Sequence, residues 1–598
     1  MASRLRLWSR LTRPRAVARL VRWVSRTERV EVFPYPSTAK HTGAGSIDAA
    51  ANFVAGPAQV IPAEALQWLR LGVLQCAVPG LVQRERDGDD LPAIATRELM
   101  QFENVIPLRW PSGPLEIARR EKSEGFDSQI RQTLERWHDP AALEFLKGTA
   151  IDCIVISWAA GLLADAEQQR TAAPLIEAAR QQNLAVVGWV DGTADHNAAI
   201  AAATAAGLTA VAIHGLHGSS GFPVITWSDR ADVAWDSTAP VVAICGNVWP
   251  GVSLASGGAD ASAGPTGVPW LDSNGWCIQM ARARLKAPLW VVFDPPAGPA
   301  VPSPQSYVKA ICDSEAAGGR WVISLDDNLR SGLAAGNTAA WKDIASAASF
   351  FKDHPDWKSY RSLGLVGVIS DFAGSDFDLT GEILNLMARR DLLFRVIWKS
   401  QALTQAIDQP FSGLRALVYA DAKLPEPALR RKITDFVEQG GLLVAGREWG
   451  KAGTPAPPDF QTQFDVLAVG KGRLAVARNA IDDPYQLAGE TQLLLSHRND
   501  LVKIYNSPSS GCTRYTVSPD GKTALLQCLS YADGRRAGLR TIWVRDRHRA
   551  TRMWTIEAPP VALEANTSED YAGVEYHLPA NATQAYLALE FERQRREA

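Results

Sequence analysis

Cysteine is scarce in this chain: there are seven among 598 residues, none in a C-x-x-C pair or at a Cys/His ligand spacing. That argues against a structural zinc site. Cys76, Cys153, Cys245, Cys277 and Cys312 lie singly in or near apolar segments and read as small buried hydrophobes. No apolar run approaches the roughly 20 residues needed to cross a bilayer. A formal net charge of −2 leaves no broad cationic surface, which excludes nucleic acid as an expected partner. The glycine-rich stretch "SGGADASAG" (256–264) lacks the lysine and flanking elements of a phosphate loop, so it reads as a loop, and no cofactor is expected.

What is present is an ordinary globular composition, 46% hydrophobic and 21% charged, in a chain long enough for two to four domains. The 20 tryptophans are an unusual load, suited either to sugar platforms or to large cores. Residues 1–35 form an arginine-rich segment, with nine arginines and a single acid in the first 30 residues. Its arginines interrupt every candidate signal-peptide core, so it reads as a basic tail or as a contact for a membrane surface or a protein partner. With no clear signal peptide or membrane span, a cytoplasmic or peripherally membrane-associated protein is expected. Cys512 and Cys528 flank the turn "VSPDGK", and a hairpin with its apex near Asp520 would set them opposite each other, as a disulfide or as two thiols.

From about residue 65 to 350 a short apolar strand, a loop and an amphipathic helix recur. Strand candidates are "LGVLQC" (71–76), "NVIPLRW" (104–110), "IDCIVISW" (151–158), "LAVVGWV" (184–190), "LTAVAIHG" (208–215), "APVVAICG" (239–246), "PLWVVFD" (288–294) and "RWVISLDD" (320–327). Eight such strands predict a (β/α)8 barrel over residues 36–358, with functional groups at the strands' carboxyl ends. Residues 359–468 show βαβ alternation suited to a flavodoxin-like sheet. Short alternating runs over 469–598, among them "TRYTVSP" and "QAYLALEF", predict an all-β sandwich.

This three-part order, together with the run "LRALVYADAKLPEPALRRKITDFVEQGGLLVAG" (414–446), resembles β-galactosidase-type glycoside hydrolases of the (β/α)8-barrel clan. The resemblance implies a class I amidotransferase-like middle domain that often mediates trimerisation, hence a homo-oligomer, and a carbohydrate as partner. Residues 360–470 hold neither cysteine nor histidine, so the middle domain has no Cys–His glutaminase chemistry. The clan's catalytic glutamates follow strands four and seven. No glutamate occurs between Glu177 and Glu315, and the matching strand ends, counted along the candidates, carry Asp191 and Asp294.

Glycosidic cleavage needs two carboxyl groups, about 5–5.5 Å apart for retention of configuration and about 6.5–9.5 Å apart for inversion. Asp191 and Asp294 are therefore the candidate catalytic pair, each with a bland alternative: Asp191 as a turn or helix cap in "DGTADHN", Asp294 as a turn residue before Pro295 and Pro296. Trp158, Trp189, His214, Asn247, Trp249 and Asp326 are candidate substrate contacts, the tryptophans and Asn247 reading equally as core or loop packing and Asp326 as a turn cap. His214 and His217 suggest a metal only weakly, because the first strand lacks a His-x-His pair. The alternative to an enzyme is an inactive barrel that serves as a carbohydrate-binding or scaffold component.

Overall fold

The computed structural model describes residues 102–594 except 123–124, 217–220, 231, 236, 253–270, 296–302, 405–409, 482, 506–510, 532–540, 546–547, 568–572 and 579–584. The candidate strand 71–76 with Cys76, the arginine-rich segment, His217 and the loop 256–264 lie outside the described residues. The described residues belong to one compact unit. No helix among the described residues is long and apolar enough to cross a membrane.

Eight parallel strands make the barrel: β1 (Pro107–Trp110), β2 (Cys153–Ala159), β3 (Ala185–Val190), β4 (Ala210–His214), β5 (Val224–Asp229), β6 (Val242–Cys245), β7 (Leu289–Val291) and β8 (Arg320–Trp321). They pair in sequence order, and a parallel bridge between Leu108 and Ile323 closes the ring, with Arg109 N–H donating to the Ile323 carbonyl at 2.7 Å. Both faces of each strand are covered, which is why the runs are apolar without alternation. Val187, Trp189, Ala212, Ile225, Ala243 and Trp290 fill the interior, while Trp158, Val186, Val190, Ile213 and Ile244 face the helices.

The strand count needs a correction. Val224–Asp229, "VITWSD", is a barrel strand the sequence reading passes over, because it follows the end of β4 at His214 too closely for the amphipathic connector that marks its neighbours. The candidate 104–110 is then the first strand. Asp191 follows strand three, His214 ends strand four, and Asp294 keeps its place after strand seven.

Helix–strand connections carry the expected caps. In His196–Ala206 the carboxylate of Asp195 accepts from the N–H groups of Asn197 (3.0 Å) and Ala198 (3.1 Å), and Gly207, at φ 72°, ends the helix in the left-handed region. Asp195, rather than Asp191, is thus the cap within "DGTADHN". Asp195→Ala is expected to lower stability by about 1 kcal/mol in a urea melt and to leave the barrel mouth unchanged.

A seven-stranded sheet follows, in the order Phe394–Trp398, Val366–Ser370, Ala416–Tyr419, Leu442–Ala445, Gly472–Ala477, Phe464–Val469, Thr454–Pro455. Its first five strands are parallel in flavodoxin-like order and the last two are antiparallel. Gly472–Ala477 extends this sheet past residue 468. Apart from a two-stranded ribbon, Gly251–Val252 with Leu271–Asp272, the remaining strands form a sandwich of a six-stranded and a four-stranded antiparallel sheet, with Ile504, Tyr515, Leu526, Ile542 and Phe591 between them.

In the hairpin Gly511–Val517/Thr523–Ser530, Cys512 pairs with Leu529 and Thr513 with Cys528. The one-residue offset sends the two thiols to opposite faces of the sheet, and they form no disulfide with each other. They are not opposite each other, as the turn alone suggested.

Candidate functional site at the barrel mouth

The inward parity of the strands brings Arg109 (β1), Ser157 (β2), Trp189 (β3), His214 (β4), Trp227 and Asp229 (β5) and Cys245 (β6) to the carboxyl ends, with Asp294 following β7. Trp189 and Trp227 stack with centroids 4.8 Å apart, and the His214 ring meets Trp227 edge-on at 4.4 Å. The Arg109 guanidinium lies 4.6 Å over Trp189, and its buried Nη1 has no hydrogen-bond partner. Trp227 is fixed by its indole N–H, which donates to the Val190 carbonyl at 3.1 Å. Together these form an aromatic floor with one cation on it.

Two exposed aspartates stand around this floor. Burial raises the Cys245 thiol strongly; the charge of Arg109 opposes that, and Asp229 and Asp294 reinforce it. Both carboxylates therefore act on one thiol, from the strands on either side of β6. Asp294 also accepts a hydrogen bond from Ser324 Oγ at 2.8 Å.

Asp191 occupies a different sector. It pairs with Arg119 on the helix Gly113–Arg120, and Arg119 also meets Glu116 at 3.4 Å. Glu116 in turn accepts from Ser157 Oγ at 3.2 Å. Gly192, beside Asp191, lies against the His214 ring: a Cβ there would be 3.5 Å from Nδ1. Asp191 and His214 are thus neighbours, whereas Asp191 and Asp294 stem from strands three and seven, diametrically opposed in a ring of eight.

Four other candidates are corrected or reassigned. Trp158 is fully buried under the barrel's helices, its indole N–H donating to the Ala199 carbonyl at 3.0 Å, so it is core. Asn247 is buried and turns its amide back to the Ile244 carbonyl. Trp249 packs edge-on against Tyr307 (5.1 Å) and Trp321 (5.5 Å). Asp326 caps the helix Asp327–Ala334, accepting from Asn328 N–H (2.9 Å) and Leu329 N–H (3.0 Å), and it takes the Tyr307 hydroxyl at 2.7 Å. Trp189, His214 and Asp294 keep their places at the mouth. Arg109, Glu116, Trp227 and Asp229 join them; an arginine at an inward parity of β1 and an aspartate ending an apolar run were the available signals.

Away from the barrel, Asp371, Asp376 and Asp421 bring carboxylate oxygens within 4.8 Å of one another at the carboxyl edge of the flavodoxin-like sheet, a grouping that could hold a cation. Lys399 already pairs with Asp421 (2.6 Å) and Asp371 (3.1 Å), supplying positive charge to that cluster.

No family model and no curated protein sequence matches this chain. Among solved structures, α-L-fucosidase isoenzyme 2 from Paenibacillus thiaminolyticus is similar over 82% of this chain and 100% of its own, at 10% identity and a TM-score of 0.48. A β-galactosidase from Bacillus circulans sp. alkalophilus is similar over 84% of this chain and 97% of its own, at 9% identity and a TM-score of 0.33.

Proposed function

We propose that the barrel mouth takes a carbohydrate over the Trp189–Trp227 floor and that Asp229 and Asp294 are the carboxyl pair acting on it. The observation that carries this is their position at the carboxyl ends of the two strands flanking β6, with Asp229 opposite Cys245 in the β5–β6 register and Asp294 held by Ser324. Strands two apart are separated by about 9–10 Å, and carboxylates reaching inward from that separation suit the wider, inverting arrangement, with room for a water between them. Asp294, which accepts from Ser324, is the base that activates the water, and Asp229 is the acid that protonates the leaving oxygen. Arg109 offers its unpartnered N–H to a substrate oxygen. Asp191 and His214 hold hydroxyl groups on the far side, with Arg119 and Glu116 fixing Asp191.

A second reading, an inactive sugar-binding barrel, is favoured by His214 and Asp294 standing where the resembled clan keeps glutamates after strands four and seven, and by the pairing of Asp191 with Arg119. One screen separates the two. Aryl-glycosides and polysaccharides are titrated against tryptophan fluorescence and assayed for product release, with Trp227→Phe as the control. A quench that weakens in Trp227→Phe, accompanied by turnover, is expected. Binding without turnover selects the second reading, and a fluorescence signal indifferent to every sugar removes both.

A further inference from the structure

At the opposite, amino-terminal end of the barrel, a cavity of about 400 Å³ opens where the barrel, the flavodoxin-like sheet and the sandwich meet. It is lined by Arg282, Lys358, Arg361, Arg395 and Arg514 and by no acidic residue. A second cleft of about 260 Å³ shares Arg282 and Lys358 with it and adds Arg320, Lys286 and one acid, Glu103. An excess of cations over carboxylates is costly in a partly desolvated space.

Arg514 makes the point most sharply. It is only 6% exposed, and its Nε and Nη1 have no hydrogen-bond partner. Its Nη2 lies against the backbone of Gly275, where even a Cβ would collide at 1.5 Å, so the guanidinium is held in place by shape. The nearby Asp313 is already committed to Ser273 Oγ (3.0 Å), Asn274 N–H (2.8 Å) and the Tyr531 hydroxyl (2.6 Å). Arg395 likewise buries an unpartnered Nε. Glu315, 2% exposed, lies 2.9 Å from Arg320 Nε and 3.1 Å from Lys358 Nζ. Those contacts are close but poorly aligned, since Arg320 Nε, Nη1 and Nη2 and Glu315 Oε2 lack a hydrogen-bond geometry. Burial lowers the basicity of Arg282, against the charge of Glu103, and also that of Arg395.

We propose that this cleft is a binding site for a small polyanion carrying phosphate-like oxyanions, with Arg514 its deepest contact. A planar fork of donors in a positive cleft matches such oxygens, and the bound charge offsets the excess of cations. The site is remote from the mouth and stands independently of the carbohydrate reading.

The test is calorimetric titration of the full chain with inorganic phosphate, sulfate and pyrophosphate at low salt, repeated in potassium chloride to separate general screening. Saturable one-to-one binding, tightest for pyrophosphate, is expected, with a rise in Tm. Arg514→Gln should weaken it at least about tenfold while leaving the Tm of the unliganded protein unchanged or higher, because an unpaired buried cation is gone. The rim charge reversal Arg361→Glu should also weaken it without touching the core, and it decides the matter if Arg514→Gln fails to fold. Asp294→Asn should leave it unchanged. Absence of saturable binding by all three anions, or equal affinity in the wild type and Arg361→Glu, overturns the proposal.

Discussion

Asp294→Asn and Asp229→Asn are each expected to reduce turnover of the best glycoside by about 10²–10⁴-fold, with Asp191→Asn losing only about tenfold. An amide is nearly isosteric with a carboxylate but neither accepts a proton from water nor donates one usefully to a leaving oxygen, so the loss should fall on kcat rather than KM. The asymmetry follows from geometry. Asp229 and Asp294 are exposed carboxylates at the ends of the two strands flanking β6, whereas the charge of Asp191 is already met by Arg119. If Asp191→Asn abolishes activity and Asp229→Asn retains it, the working pair spans the whole mouth, as the strand ends alone suggested, and Asp229 is a rim residue. Product analysis gives an independent reading: a pair from strands two apart predicts inversion at the anomeric carbon.

The architecture was legible because each layer has its own hydrophobic period. Doubly buried strands gave unbroken apolar runs, and the sandwich gave short alternating ones. The strand count was less legible for a local reason: Val224 follows the end of β4 at His214 too closely for an amphipathic connector, so "VITWSD" lacked the cue that identified its neighbours. Taking 71–76 as the first strand displaced the strand number of Asp191, and the omission of "VITWSD" hid Asp229. Trp158 and Trp189 show a second limit. Both sit near strand ends in apolar runs, yet one faces the helices and the other the interior. In a strand covered on both faces, hydrophobicity carries no parity, and only the polar residues do. Arg109 on β1 and Ser157 on β2 mark the inward parity at the carboxyl ends. Cys512 and Cys528 make the same point for register, where a single residue of offset separates the two thiols by the thickness of a sheet.

Glu315→Ala is expected to destabilise the protein by about 3–5 kcal/mol, measured by urea denaturation at pH 7. Its carboxylate is the acid closest to Arg320 and Lys358, and removing it leaves two cations in a buried space without compensation. The pH dependence follows from Lys358. Burial pushes its ammonium down from the ordinary 10.5 to about 8, with Glu315 opposing the shift and Arg320 and Arg282 adding to it. Between about 8 and 10.5 the unfolded chain therefore holds the proton that the folded protein has released, so this lysine makes stability rise with pH across that window. Without Glu315 the folded value falls further, so the rise should begin at a lower pH in Glu315→Ala. Lys358→Met should flatten the rise. A wild-type profile equally steep in Lys358→Met would show that other groups set the slope. Because the cleft lacks anions rather than cations, pyrophosphate should restore part of the stability lost in Glu315→Ala, saturably and more effectively than chloride at equal ionic strength.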